Sequence, residues 1–203
     1  MKTLRRVLGF LVVATSSLWA GGVSFTGVFE SDDQVQLINL NLSSTQSVTF
    51  ETLSYGGGTN SAGTTIPAGG FDPRLTWFHA DGTEIGRDNG GHCLYTNSYL
   101  GACNDAYFNG ILSAGSYVLA LTEDGNDPNG DLIDGFSEAG NGDFTASGAC
   151  TEFCDSLSGA QLTGNWAVDI LTSQESATPK PGTVALTLIG FSLLALAGHK
   201  HSV

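Results

Sequence analysis

The chain has 203 residues, with seven Lys and Arg against 20 Asp and Glu, for a formal net charge of −13. Such a surface repels nucleic acid and anionic lipid, and suits cations and an extracellular setting. Between two apolar ends lie about 158 residues (21–178) holding all 20 acids and only Arg74 and Arg87, so 2 − 20 = −18, in chain enough for one domain but not for two.

Residues 1–20 read as a signal peptide. Lys2, Arg5 and Arg6 form a positive start, VLGFLVV (7–13) an apolar core, and Ala20 a small residue at a cleavage position. The core is shorter than the ~20 apolar residues that a spanning helix requires.

Residues 21–171 read as strands and loops. Val35, Leu37, Leu40 and Leu42 are apolar, with a phase slip at Ile38-Asn39 expected to be a bulge. Val48 and Phe50 alternate, as do Leu75 and Trp77, then Tyr117, Leu119 and Leu121, then Trp166, Val168 and Ile170. Shorter strand candidates are 23–29, 83–87, 106–112 and 143–146. Apolar side chains at period two put one strand face on a core and the other on solvent. No segment keeps a helical period over three turns. Many short strands between Gly, Asn and Asp clusters predict an all-β fold, an antiparallel, jelly-roll-like β-sandwich.

Three long loops, 54–70, 88–105 and 123–142, carry most of the chemistry open to such a domain. In the last, Asp127, Asn129 and Asp131 alternate and Glu138 falls at position twelve of an EF-hand-like count, so calcium is the expected cofactor. Leu132 replaces the glycine of that count, and the same residues also suit a plain polar loop. Asp32, Asp33, Asp72, Asp88 and Asn89 would form a second oxygen cluster if their loops converged; Asp72, before Pro73, also suits a turn cap. The even count of four cysteines in an exported chain argues for disulfides. Three pairings are open. Closeness in sequence favours Cys93–Cys103 with Cys150–Cys154, over a zinc site whose spacing is absent. For nucleophilic catalysis the domain offers only His79 and His92, with no Gly-x-Ser-x-Gly elbow. Trp77 and Trp166 sit in strand phase as core residues, whereas Tyr95 and Tyr99 lie in a loop, freer to stack on sugars.

The ordered series DQVQLINLNL (33–42), FDPRLTWF (71–78), DGTEI with RDNG (81–90) and SAGSYV (113–118) resembles the bacterial pre-peptidase C-terminal domain. The resemblance covers residues 31–122. It implies an exported β-sandwich with accessory binding roles, sometimes with calcium, and no catalysis.

The end of the chain has three parts. A polar and proline-rich linker (172–182) contains Pro179, Lys180 and Pro181, which cannot continue regular structure. The uncharged segment TVALTLIGFSLLALAG (183–198) would make a membrane helix of roughly 24 Å. A short basic tail (199–203) follows, favouring the cytoplasmic side. This layout resembles the PEP-CTERM signal of exosortase-processed proteins in Gram-negative bacteria, with Lys180 where that motif has glutamate. It implies an exosortase-type processing enzyme as partner, and membrane anchoring before processing.

These features predict a non-enzymatic protein of the cell envelope, outer surface or extracellular matrix, binding exopolysaccharide or matrix and no nucleic acid. A secreted hydrolase or enzyme accessory domain using loop carboxylates such as Asp72, Asp88 and Asp127 is the alternative.

Overall fold

The computed structural model describes residues 21–173 and the backbone of residues 14–17. The chain divides into two units, Met1–Ser173 and Gln174–Val203, and the second lies outside the described residues. So do Pro179, Lys180 and Pro181, the apolar stretch 183–198 and most of the expected signal peptide. Among the described residues no helix is long and apolar enough to cross a membrane.

The alternating segments form strands: β1 (Ala14–Ser17), β2 (Gly21–Val28), β3 (Gln36–Leu42), β4 (Gln46–Thr52), β5 (Gly58–Thr59), β6 (Thr65–Ile66), β7 (Pro73–His79), β8 (Glu84–Asp88), β9 (Tyr107–Leu112), β10 (Gly115–Glu123) and β11 (Asn165–Ser173). One sheet has the order β1-β3-β10-β7-β8 and the other β2-β11-β4-β9, while β5 and β6 form a small hairpin. All pairs are antiparallel except β1 with β3. The expected antiparallel β-sandwich is therefore the fold.

The core lies between the two sheets. Ile38, Leu40 and Leu42 of β3, Leu119 and Leu121 of β10, and Leu75 of β7 meet Val48, Phe50, Val168 and Ile170 of the opposite sheet. Burying each such side chain contributes about 1.5–3 kcal/mol. Aromatic rings join the layers, with Trp77 packed 5.8 Å from Phe50 and 4.4 Å from Phe108. Both strand tryptophans are core residues, as their phase predicts. Each lies over a glycine on the neighbouring strand. A Cβ on Gly27 would come within 2.4 Å of the Trp166 ring, and one on Gly86 within 2.8 Å of the Trp77 ring. Register makes these partners, Trp166 with Gly27 and Trp77 with Gly86.

Two strand-level expectations change. The ladder of β3 with β10 runs without a shift from Gln36 to Leu42, so there is no bulge at Ile38-Asn39. Ile38, Leu40 and Leu42 keep a clean period of two inward, and Leu37 belongs to the other face. The irregularity lies instead between Trp77 and Phe78, where β7 pairs β8. Residues 143–146 form a turn, with Asp143 at φ 65° and the Ala146 N–H bonded to the Asp143 carbonyl. Loop 54–70 contributes Tyr55, fully buried, to the core.

Candidate functional site

Along the inward face of β10, Tyr117, Leu119 and Leu121 are followed two residues later by Glu123, which inherits their inward position. Glu123 pairs with Pro73 at the start of β7, and the Asp124 N–H donates to the Asp72 carbonyl at 2.8 Å. The ends of two adjacent strands thus bring Asp72, Glu123 and Asp124 together as the floor of a cleft of about 340 Å³. Its walls come from segments 144–147 and 154–159, which supply Phe144, Ser147, Asp155 and Ser156.

The walls are held by acids that face inward. Asp32, fully buried, accepts hydrogen bonds from the N–H groups of Phe144 and Thr145 and from Thr145 Oγ1 at 2.7 Å. Thr145 Oγ1 in turn accepts from the Cys154 N–H. Asp155 accepts from the Tyr55 hydroxyl at 2.7 Å and from Ser158 Oγ and the N–H groups of Leu157 and Ser158. A disulfide joins Cys150 to Cys154 in this wall. On the opposite loop, Asp105 receives Thr52 Oγ1 and the N–H groups of Ser54, Tyr55 and Gly56, and so fixes the chain that leads to Tyr55.

The floor acids are less well satisfied. Glu123 and Asp72 are only 2% and 9% exposed, and Glu123 Oε2 and Asp72 Oδ1 have no hydrogen-bond partner. An unsatisfied buried acceptor costs about 1–3 kcal/mol. Burial pushes the Glu123 carboxyl up to about 10, and the charges of Asp72, Asp32 and Asp124 push the same way. Burial also raises Asp72 to about 8, helped by Asp124 and Asp155 and opposed by the Asn104 amide. Burial raises Asp155 too, but the Ser158, Tyr55 and Leu157 hydrogen bonds outweigh it and leave its carboxyl below the ordinary range. The cleft therefore sets two acids held towards their neutral form, Asp72 and Glu123, close to Asp155, held towards its charged form.

The four residues of the expected calcium loop do not come together. Asp127 Oδ1 lies 3.0 Å from both Arg74 Nη1 and Arg87 Nη1. Asn129 Nδ2 donates to the Asp134 carbonyl, the Asp131 N–H donates to Asp134 Oδ2, and Glu138 Oε2 accepts from Asn141 Nδ2. Among the described residues no three His, Cys, Asp or Glu side chains are grouped to hold a metal ion. The second oxygen cluster is also dispersed. Asp33 accepts from Ser31 Oγ and the Gly140 N–H, while Asp88 accepts from Gly90, Tyr107 and His92. Of that group, Asp72 lines the cleft and Asn89 reaches its rim by donating to Asp124 Oδ1.

Both proximity-based disulfides are present, Cys93–Cys103 and Cys150–Cys154, and the described residues leave no free thiol. His92 precedes the disulfide-bonded Cys93 in the chain and bonds Asp88 at 2.8 Å. Tyr95 is 60% exposed, stacked 4.5 Å from Tyr107, as its loop position predicts. Tyr99 instead packs edge-on against Tyr55 at the core.

No family model matches the chain, and no curated protein matches its sequence. Among solved structures it is similar to the pre-peptidase C-terminal domain of collagenase from Bacillus anthracis. The identity there is 10% and the TM-score 0.35, over 75% of this chain and 89% of that one. It is similar also to Aeromonas hydrophila PliG, a periplasmic lysozyme inhibitor of g-type lysozyme, with 14% identity and a TM-score of 0.40, over 80% and 95%. Likeness at this level speaks to no ligand or activity.

Proposed function

We propose that this chain is an exported, non-catalytic binding protein of the cell envelope or extracellular matrix, and that the acidic cleft is where it holds matrix polysaccharide. One observation carries the reading: a cleft of small-molecule size whose floor leaves two buried carboxyl oxygens without partners. Two disulfides suit an oxidising compartment. Sorting by an exosortase-type enzyme at Pro179-Lys180-Pro181, with the 183–198 segment as transient anchor, belongs to the same proposal. Two measurements test it. Co-sedimentation with exopolysaccharide from the native host should retain the protein, and Asp72→Asn should weaken retention. The intact mass of protein released from that host should end near Pro179. Absence of retention would overturn the binding role, and a membrane species keeping Val203 would overturn the sorting.

A second reading, a secreted hydrolase, is favoured by the opposed environments of Asp72 and Asp155 in one cleft. It predicts cleavage of the bound polysaccharide, abolished in Asp72→Asn with binding retained.

A further inference from the structure

We infer that removal of the signal peptide opens the outer edge of β3, and that this edge pairs with β3 of a second copy, joining two sandwiches through one continuous sheet. It rests on the export reading above, because β1 (Ala14–Ser17) belongs to the segment that export would remove.

β1 is the outermost strand of its sheet and pairs in parallel with β3, from Ala14 beside Ile38 to Ser17 beside Asn41. β10 holds the other flank of β3. Cleavage after Ala20 takes β1 away and leaves open the edge that residues 38–41 present to it. Sheet ends that stay bare are protected by charges, proline or irregular pairing. The far end of this sheet follows that rule. There β8 carries Glu84, Arg87 and Asp88, and its ladder with β7 shifts between Trp77 and Phe78. β3 (QLINLNL) has no charge, no proline and no shift in its ladder with β10. It has none of these protections, and its pairing with β1 shows that it accepts a strand.

Charge and symmetry select the occupant. Between residues 21 and 178, 20 acids face two bases, so two copies repel over most of their surface and approach best along an uncharged stripe. A two-fold axis at Asn39, the middle of β3, sets the two strands antiparallel. Asn39 then faces its own counterpart, and Leu37 faces the counterpart of Asn41. An amide both donates and accepts, so Asn39 is self-complementary. The acids that precede β3, Asp32 and Asp33, fall towards the uncharged segment 43–46 of the second copy. A parallel pairing would set those acids against one another.

The test uses the full chain expressed in its native host. The four native cysteines are paired, so an introduced cysteine is the sole thiol. Opposed strands hold Cα atoms about 4.5–5.5 Å apart, within disulfide reach. After mild oxidation, Asn39→Cys should give a covalent dimer on a non-reducing gel, formed from the species that lacks residues 1–20. Combined with Ala20→Lys, which removes the small residue at the cleavage position, the same cysteine should stay monomeric because β1 still covers the edge. Thr26→Cys, exposed on the edge strand of the other sheet, should give no dimer. In sedimentation equilibrium the released wild type should be a reversible dimer that tightens as salt screens the acidic surfaces. Asn39→Lys sets two like charges opposite each other and should weaken that dimer at least about tenfold, whereas the uncharged Asn39→Thr should keep it. Melting curves check that both are folded, and the cysteine result stands without them. A monomeric wild type, an equal cross-link through Thr26→Cys, an equal cross-link in the species that keeps residues 1–20, or a dimer indifferent to a folded Asn39→Lys would each overturn the inference. Intact mass keeps the two readings apart. A released protein still carrying residues 1–20 would overturn both, whereas a trimmed protein that stays monomeric would overturn this inference and leave export standing.

Discussion

Replacing Glu123 by glutamine should change how the stability of the protein responds to pH. Burial, then the neighbouring acids, lifts the folded carboxyl to about 10, against an ordinary value near 4.5 when the chain is unfolded. Between those limits the folded protein holds a proton that the unfolded chain has released. The folded state binds more protons, so stability is greatest below the unfolded value and falls as pH rises towards the folded one. The slope is about 1.4 kcal/mol per pH unit for one such group. Asp72, raised to about 8, adds a fall of the same sign over a narrower window. Glutamine resembles the protonated acid in shape and does not titrate. From pH 6 to pH 8 the variant should therefore lose roughly 3 kcal/mol less than the wild type. At 2–4 °C per kcal/mol, that is a gap in melting temperature widening by roughly 10 °C. Thermal melts at pH 5, 6, 7 and 8, at constant ionic strength, measure it. Wild-type and Glu123→Gln curves that stay parallel across this range would refute the claim that Glu123 is buried as a neutral acid.

Four further outcomes follow from the same contacts. Asp105→Ala strands the Ser54, Tyr55 and Gly56 N–H groups and should cost ~3 kcal/mol or more in a urea titration, whereas Asp105→Asn, which keeps one acceptor oxygen, should cost less. Removing Cys93–Cys103 as a double serine variant should cost about 3 kcal/mol, and removing Cys150–Cys154, with its shorter loop, about 2 kcal/mol, measured by the same titration. Tyr55→Phe takes away a hydroxyl that holds Asp155 down, so the Asp155 carboxyl should move up when followed by NMR titration; because a depressed carboxyl stabilises above its unfolded pKa, the variant should lose most against the wild type near neutral pH and least in acid. Chelation with EDTA should leave the melting temperature unmoved, since Asp127 is engaged by two guanidinium groups; a clear drop would restore calcium to the 127–138 loop.

The fold was legible where burial is one-sided. The inward runs Tyr117-Leu119-Leu121 and Trp166-Val168-Ile170 display a period of two directly, and they are the middle strands of the two sheets. β3 was harder, because Leu37 on its outer face is as apolar as Ile38 on its inner face, so hydropathy shows a slip where the ladder has none. The turn at 143–146 resembled a strand because Phe144 and Ala146 flank a threonine, yet Asp32 and the wall contacts fix it there. The site was half legible. Asp72 stood out before Pro73, and the cysteine pairs followed from spacing. Glu123 was missed although its signal was present: it continues the inward series 117, 119, 121 by one more step, and an acid at an inward position marks either a partner or a ligand. Asp155 gives no such signal, since its place depends on Tyr55, 100 residues earlier in the chain. The EF-hand-like count carries no information about partners from elsewhere in the chain. Spacing brings side chains into range, but Arg74 and Arg87, distant in sequence, reach Asp127 first.

The cleft joins two kinds of architecture. Its floor is the last residue of a central strand and the residue just before its neighbour, so its backbone belongs to the ladder that holds the sandwich together. Its walls are loop segments with their own fastenings, Asp32 at one point and a short disulfide at another. Sequence drift can accordingly remake the walls, including Phe144 and Ser156, while the backbone of the floor stays fixed by the ladder. A lineage built on this frame would diversify in what it holds long before it diversified in how it folds.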